Sequence, residues 1–236
     1  MKTMLLTLAL AAASFVATAQ PKTGLLGSAA TPVASATPDA YTAMMAATIN
    51  EQNAAGPAGQ SAIIAKLERA ASARPADWLP RYYQARGYIK IGFSASDDDL
   101  KDHAFDQAQA VLDQAKKLSG ANQAEVLVLQ AYIYQGRIMV SPMTRGMAYA
   151  GRVGEALEQA KNLEPRNPRV YLVMANDLYY RPAMFGGGVE KAKPLYEKAK
   201  ALFATYKPLT TLSPNWGESN AAARLTEINA ETATIK

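Results

Sequence analysis

The chain has no cysteine and a single histidine, His103. The first absence excludes a disulfide framework, thiolate zinc sites, iron–sulfur ligation and a thiol nucleophile. The second excludes multi-histidine metal centres of the HExxH kind. Long apolar runs are scarce too: beyond Met4–Val16, itself short, no stretch reaches the roughly 18 residues that a membrane crossing needs. Charge of one sign is not concentrated. The net charge is +5, and the basic residues are scattered rather than gathered into a stripe. With no arginine–aromatic motif among them, nucleic acid is not an expected partner.

What is present begins with an address. Lys2 supplies a positive start, Met4–Val16 an apolar stretch, and Ala17-Thr18-Ala19 the small residues that a signal peptidase reads. Residues 1–19 are therefore expected to be a cleaved signal peptide, leaving a chain that starts at Gln20 with no transmembrane segment. The periplasm or the extracellular medium is the expected destination. Residues 20–38 are rich in Ala, Pro, Ser and Thr without apolar periodicity, which predicts a flexible leader. Asp39 is placed to cap a helix starting near Ala40.

The rest of the alanine-rich chain is organised by repetition. Four ladders carry apolar residues at i, i+4, i+7 and i+10: Ile63-Leu67-Ala70-Ala73, Ala108-Leu112-Ala115-Leu118, Val153-Leu157-Ala160-Leu163 and Ala192-Tyr196-Ala199-Leu202. That spacing holds one stripe of an α-helix. Before each ladder lies a second amphipathic segment, near 40–52, 78–91, 124–135 and 168–180. Breakers divide the units: Arg74-Pro75-Ala76-Asp77, Ser119-Gly120-Ala121-Asn122 and Glu164-Pro165-Arg166-Asn167-Pro168. The predicted unit is helix A, helix B and a short turn, repeated four times. A helix over 218–230, with Ala222, Leu225 and Ile228 on one stripe, is the expected cap, and 231–236 the tail.

Small residues at Ala85 and Ala175, Tyr88 three places after Ala85, and helices B reading Ala-x3-Leu/Tyr-x2-Ala resemble the tetratricopeptide repeat. So does a proline five residues after Ala70 and after Ala160. The copy over 124–164 and that over 168–204 match best, and the second copy has Gly120 in place of the proline. The resemblance spans 39–230 and implies an all-α fold: a solenoid of about four helical hairpins with a C-terminal capping helix. The strings Phe185-Gly186-Gly187-Gly188, Pro142-Met143-Thr144-Arg145-Gly146 and Ser213-Pro214-Asn215-Trp216-Gly217 add a likeness to exported bacterial proteins of that kind, which carries no activity with it.

The ladders begin at Ile63, Ala108, Val153 and Ala192, further apart than the roughly 34 residues of that repeat. The surplus is assigned to long loops between helices A and B, over 92–101, 137–151 and 181–188, along one edge of the stack. Repeat insertions often form a binding face. Helix A residues expected to face a concave groove are Tyr82, Arg86, Tyr132, Gln135, Arg169, Asn176 and Tyr179. Arg145, Tyr149 and Phe185 would form a second surface on the loops. Tyr and Arg bind by burying aromatic area and by forked hydrogen bonds, so the set predicts a protein or peptide partner in the cell envelope.

Other candidates are weaker. Gly186–Gly188 lacks the Lys and Ser/Thr of a phosphate loop and reads as a turn with positive φ. Asp99, Asp102, His103 and Asp106 share a helix face opposite the Ala108 ladder, hence in solvent, where acidic residues ordinarily cap a helix. No paired carboxylates, triad or dinucleotide fingerprint stands out, so neither catalysis nor a cofactor is expected. The alternative is a carrier whose groove closes over a small molecule, or a cation held near Asp102 and His103.

Overall fold

The computed structural model describes residues 39–234, with side chains to Glu231. The expected signal peptide and leader fall outside the described residues. Within them the fold is all-α: α1 (Ala40–Ala54), α2 (Gln60–Ala73), α3 (Leu79–Ser94), α4 (Asp98–Lys116), α5 (Gln123–Val140), α6 (Pro142–Leu163), α7 (Pro168–Tyr180), α8 (Val189–Phe203) and α9 (Glu218–Thr234). None of these helices is long and apolar enough to cross a membrane. Each pairs with its successor as a hairpin, α1 with α2 through α7 with α8. The odd-numbered helices also form a row, α3 against α5 and α5 against α7, while α9 lies on α8.

Local chemistry sets the boundaries. The side chains of Asp39, Asp97, Asn122 and Asn167 each accept hydrogen bonds from backbone N–H groups of the following turn. This satisfies donors that a helix start leaves orphaned. Pro142 and Pro168 open α6 and α7, where a missing N–H costs nothing. Pro194, by contrast, lies inside α8.

The first three rungs of every ladder are buried, from Ile63, Leu67 and Ala70 to Ala192, Tyr196 and Ala199. The fourth rung is not uniform: Leu163 is exposed, because i+10 has reached the end of its helix. In the odd-numbered row, Ala85, Ala131 and Ala175 are fully buried and let neighbouring backbones approach. Leu225 and Ile228 of α9 are buried as expected of a cap, and the helix continues past Ala230.

Two of the three expected loops are absent. Only Ala95–Asp97 separates α3 from α4, and Ser141 alone separates α5 from α6. The surplus residues are good helix formers (Leu100, Lys101, Ala104; Met143, Arg145, Met147, Ala148), so they lengthen the hairpins. The added turns have partners. Tyr134 and Tyr149 meet at 5.6 Å between ring centres, and the Phe105 ring lies against Gly92 of α3 and Gly136 of α5, where any Cβ would collide with it. Between α7 and α8 an irregular segment remains, with a 3-10 turn over Ala183–Phe185 and with Gly186 and Gly188 at φ +83° and +113°.

Candidate functional site

The row of odd-numbered helices is where sequence places a partner groove, and the chain's own C-terminal connection fills part of it. After α8 the segment 207–217 crosses the row back to the first hairpin. Tyr83 donates its hydroxyl to the Leu212 carbonyl at 3.2 Å, and Asn53 on α1 donates its amide to Asn215 at 2.9 Å. Trp216, buried, donates Nε1–H to the Tyr82 hydroxyl at 2.9 Å. The Arg86 and Arg169 guanidinium carbons lie 5.1 and 5.9 Å from its ring centre, and the Tyr132 ring 5.9 Å away.

Four of the predicted contact residues, Tyr82, Arg86, Tyr132 and Arg169, are thus brought together, but around an internal indole. Tyr82 and Arg169 are 0% exposed and present no surface to a partner. Asn176 joins them through a bond to the Tyr132 hydroxyl and accepts another from Tyr196. Gln135 donates to the Val173 carbonyl, tying α5 to α7. Tyr179 packs against Tyr180 and Tyr196 beneath Arg224. Arg145, Tyr149 and Phe185 stand apart from this cluster, the first two on helix α6 rather than on a loop, and Phe185 is exposed.

Glu125 is the residue that sequence reading missed. Fully buried on α5, it accepts from Tyr82 at 2.7 Å, Asn167 at 2.6 Å and Arg169 Nε at 2.7 Å. A charge inside the apolar run Ala124–Leu129 was the available signal, since an unpaired buried carboxylate is too costly to keep. Burial works against the Arg169 charge, yet Glu125 more than offsets it and holds the guanidinium protonated above the usual range. Arg169 Nη2 also donates to the Tyr206 hydroxyl at 2.7 Å, with the guanidinium over that ring at 4.6 Å. Its Nη1 has no hydrogen-bond partner among the described residues.

Beside this network opens a cleft of about 660 Å³ at the helix ends opposite the α3–α4 and α5–α6 reversals. Its apolar walls include Trp78, Leu79, Leu202, Tyr206 and Pro214. Its polar floor is a chain of caps: Asn122 and Asn167, which start α5 and α7, both donate to Glu164. Arg166 and Lys207 stand at the rim, and Leu209 is 92% exposed there. The volume lies within the roughly 300–1,000 Å³ typical of small-molecule sites. A second hollow, of about 690 Å³, is lined by residues of α6, α7 and α8 including Tyr171, Met174 and Lys198. There the Tyr171 hydroxyl is already spent on the Pro165 carbonyl, and the Lys198 ammonium covers its ring at 4.1 Å.

The acidic face of α4 is in solvent as sequence predicts at Asp99, His103 and Asp106, and only Asp102 is half-buried. Two arginines of the next hairpin reach it: Arg145 bonds both Asp102 carboxylate oxygens while Arg137 bonds Asp102 and Asp106. Hydrogen bonds from Arg145 first, then Arg137, hold the Asp102 carboxyl below its ordinary value. The cation seat considered near Asp102 and His103 is therefore taken by guanidinium groups. Among the described residues, no group of three or more potential metal ligands is clustered.

No family model matches the chain. No curated protein matches it either. Among solved structures it is similar to the HusA haemophore from Porphyromonas gingivalis, at 30% identity and a TM-score of 0.73. The match covers 82% of this chain and 95% of that one. The two chains belong to one family. That relative is named as a haemophore, and the likeness extends over the all-α fold.

Proposed function

We propose that this protein is an exported, non-catalytic carrier of haem or a closely similar tetrapyrrole. One observation carries the reading: the likeness to a haemophore over nearly all of that protein's length. It moves the balance from a protein-binding module, the first reading of the sequence, to the carrier that was its alternative. The hairpin row is read here as a tetratricopeptide-like solenoid whose inner face is partly self-occupied.

The seat we assign is the 660 Å³ cleft. Apolar walls suit the macrocycle, whose burial supplies the main driving force, and the rim cations Arg166 and Lys207 suit the two propionates. Titrating the chain from Gln20 with ferric haem, followed by haem absorbance and by quenching of Trp78 and Trp216 fluorescence, tests this. Saturable binding that is weakened by Leu202→Asp is the expected result. An unsaturable response, or binding indifferent to that change, overturns the assignment.

A protein partner keeps a place as a second reading, because of the opposite edge. At the reversals between paired helices, Met143 and Met147 are 93% and 96% exposed, and Leu100, Met184 and Phe185 are exposed as well. Exposed apolar groups gathered at one edge suit docking to another protein, such as one that receives the cargo.

A further inference from the structure

We propose that Arg86, Lys90 and Phe93, with Tyr132 beside them, form a seat for a small aromatic carboxylate on the inner face of the helix row, separate from the cleft. The proposal does not rest on the carrier reading.

Arg86, Lys90 and Phe93 stand at i, i+4 and i+7 on α3 and so share one stripe of that helix. All three keep access to solvent: Arg86 and Lys90 are half-buried, and Phe93 is 36% exposed. The half-buried Tyr132 ring of α5 meets Phe93 at 5.8 Å between centres. Trp216 closes the circuit, 5.9 Å from the Tyr132 ring and 5.1 Å from the Arg86 guanidinium. Cations and rings thus border one patch of the row.

The two cations lack a counter-ion. Neither Arg86 nor Lys90 is in an ion pair among the described residues. Arg86 Nη1 donates to the neutral Gln52 amide oxygen at 2.9 Å, and Lys90 donates to the Gln52 and Ala55 carbonyls at 3.0 and 2.7 Å. Those carbonyls close the end of α1, whose dipole offers about half a negative charge. Two like charges one turn apart repel, so more than one unit of positive charge is left for a ligand to neutralise. Glu125 is spent on Arg169, and Glu51 on Lys66. Burial first, then Arg86, lowers the Lys90 ammonium to about 8, a shift that an incoming anion would reverse. The Nε–Nη2 edge of Arg86 has no acceptor among the described residues, and such an edge matches the two oxygens of a carboxylate. Phe93 and Tyr132 supply the flat apolar area that makes an aromatic carboxylate the better fit.

The experiment titrates the chain from Gln20 with benzoate, and with benzyl alcohol as the neutral control, by calorimetry at pH 7 and low salt. Benzoate should saturate one site, and benzyl alcohol should bind at least about tenfold more weakly. Lys90→Gln and Phe93→Ala should each weaken benzoate at least about tenfold, while Leu202→Asp in the cleft should leave it unchanged. A second readout needs no variant: acetylation of Lys90 by acetic anhydride, mapped by mass spectrometry. Benzoate at ten times its Kd should slow that reaction about tenfold and leave the exposed Lys117 unaffected. No saturable benzoate binding, or binding with Lys90 unprotected, overturns the seat and leaves the carrier reading standing. Displacement of benzoate by ferric haem would make the two sites one and overturn the separate seat.

Discussion

Trp216 and Tyr82 lie 134 residues apart and are joined by a 2.9 Å hydrogen bond from the indole N–H to the phenolic oxygen. Tyr82 in turn donates to Glu125, which pairs with Arg169. The connection between α8 and α9 is thus built into the row of odd-numbered helices. Trp216→Ala should remove a buried ring and leave Tyr82 short of a donor, costing about 3–5 kcal/mol. Urea denaturation followed by far-ultraviolet dichroism measures it. A loss below about 1 kcal/mol would mean that the segment only rests on the surface.

Phe105 occupies the gap left by two glycines, Gly92 and Gly136. Gly136→Ala should force its ring aside and cost about 1–3 kcal/mol through overpacking, despite the better helix propensity of alanine. Pairing it with Phe105→Leu should recover part of that loss, which a double-mutant cycle reads directly.

Asp102 fastens α4 to α5 and α6 through Arg137 and Arg145. Because its folded carboxyl is held below the ordinary value, this contribution is complete above the unfolded value, near pH 4. It is lost as pH falls through the lower folded value. Asp102→Asn should cost about 1 kcal/mol at neutral pH and flatten the acid limb of a stability–pH profile.

Burial holds the hydroxyls of Tyr82, Tyr83, Tyr132 and Tyr196 protonated well above the usual phenol value. The sign is opposite to that of Asp102. Their contribution is complete below about pH 10, where unfolded tyrosine ionises, and drains away as pH rises beyond it. Stability measured between pH 8 and 11 should fall on that alkaline side, with the tyrosinate absorbance of these four buried hydroxyls appearing only as the chain unfolds.

The Met143 and Met147 side chains rest on nothing that folding needs. Replacing both by Ser should leave the denaturation midpoint within about 0.5 kcal/mol of the wild type and leave haem binding unaltered. Crosslinking to envelope proteins should weaken. Unchanged crosslinking would remove the docking role of this edge.

Most of the helices were legible in the sequence because period and punctuation agreed. The ladders named the buried stripe, Asp39 marked a helix start, and the breakers ending at Asp77, Asn122 and Pro168 marked where one hairpin gives way to the next. Loop length was misread where the surplus between α3 and α4, and between α5 and α6, was counted against a fixed repeat. A hairpin can absorb extra residues as added turns if its partner lengthens equally, and only the meeting of Tyr134 with Tyr149 reveals that it did. The site was legible only in part. Tyr82, Arg86, Tyr132 and Arg169 were found as a set by helix position, but their common neighbour Trp216 comes from a distant, aperiodic segment. Tyr206, three residues past the end of α8, bears no periodic signal. Its significance depends on Arg169 and on the cleft beside it.

An array of stacked hairpins can in general be lengthened or shortened by one unit, because each unit meets only its neighbours. Here the bond between Asn215 and Asn53 measures the span from the last pair to the first. Inserting or deleting a hairpin would leave the returning strap too short or too long to make its bonds to Asn53 and Tyr82 together. During synthesis, likewise, the Tyr82 hydroxyl receives its indole donor only after the 134 residues that separate it from Trp216 have emerged.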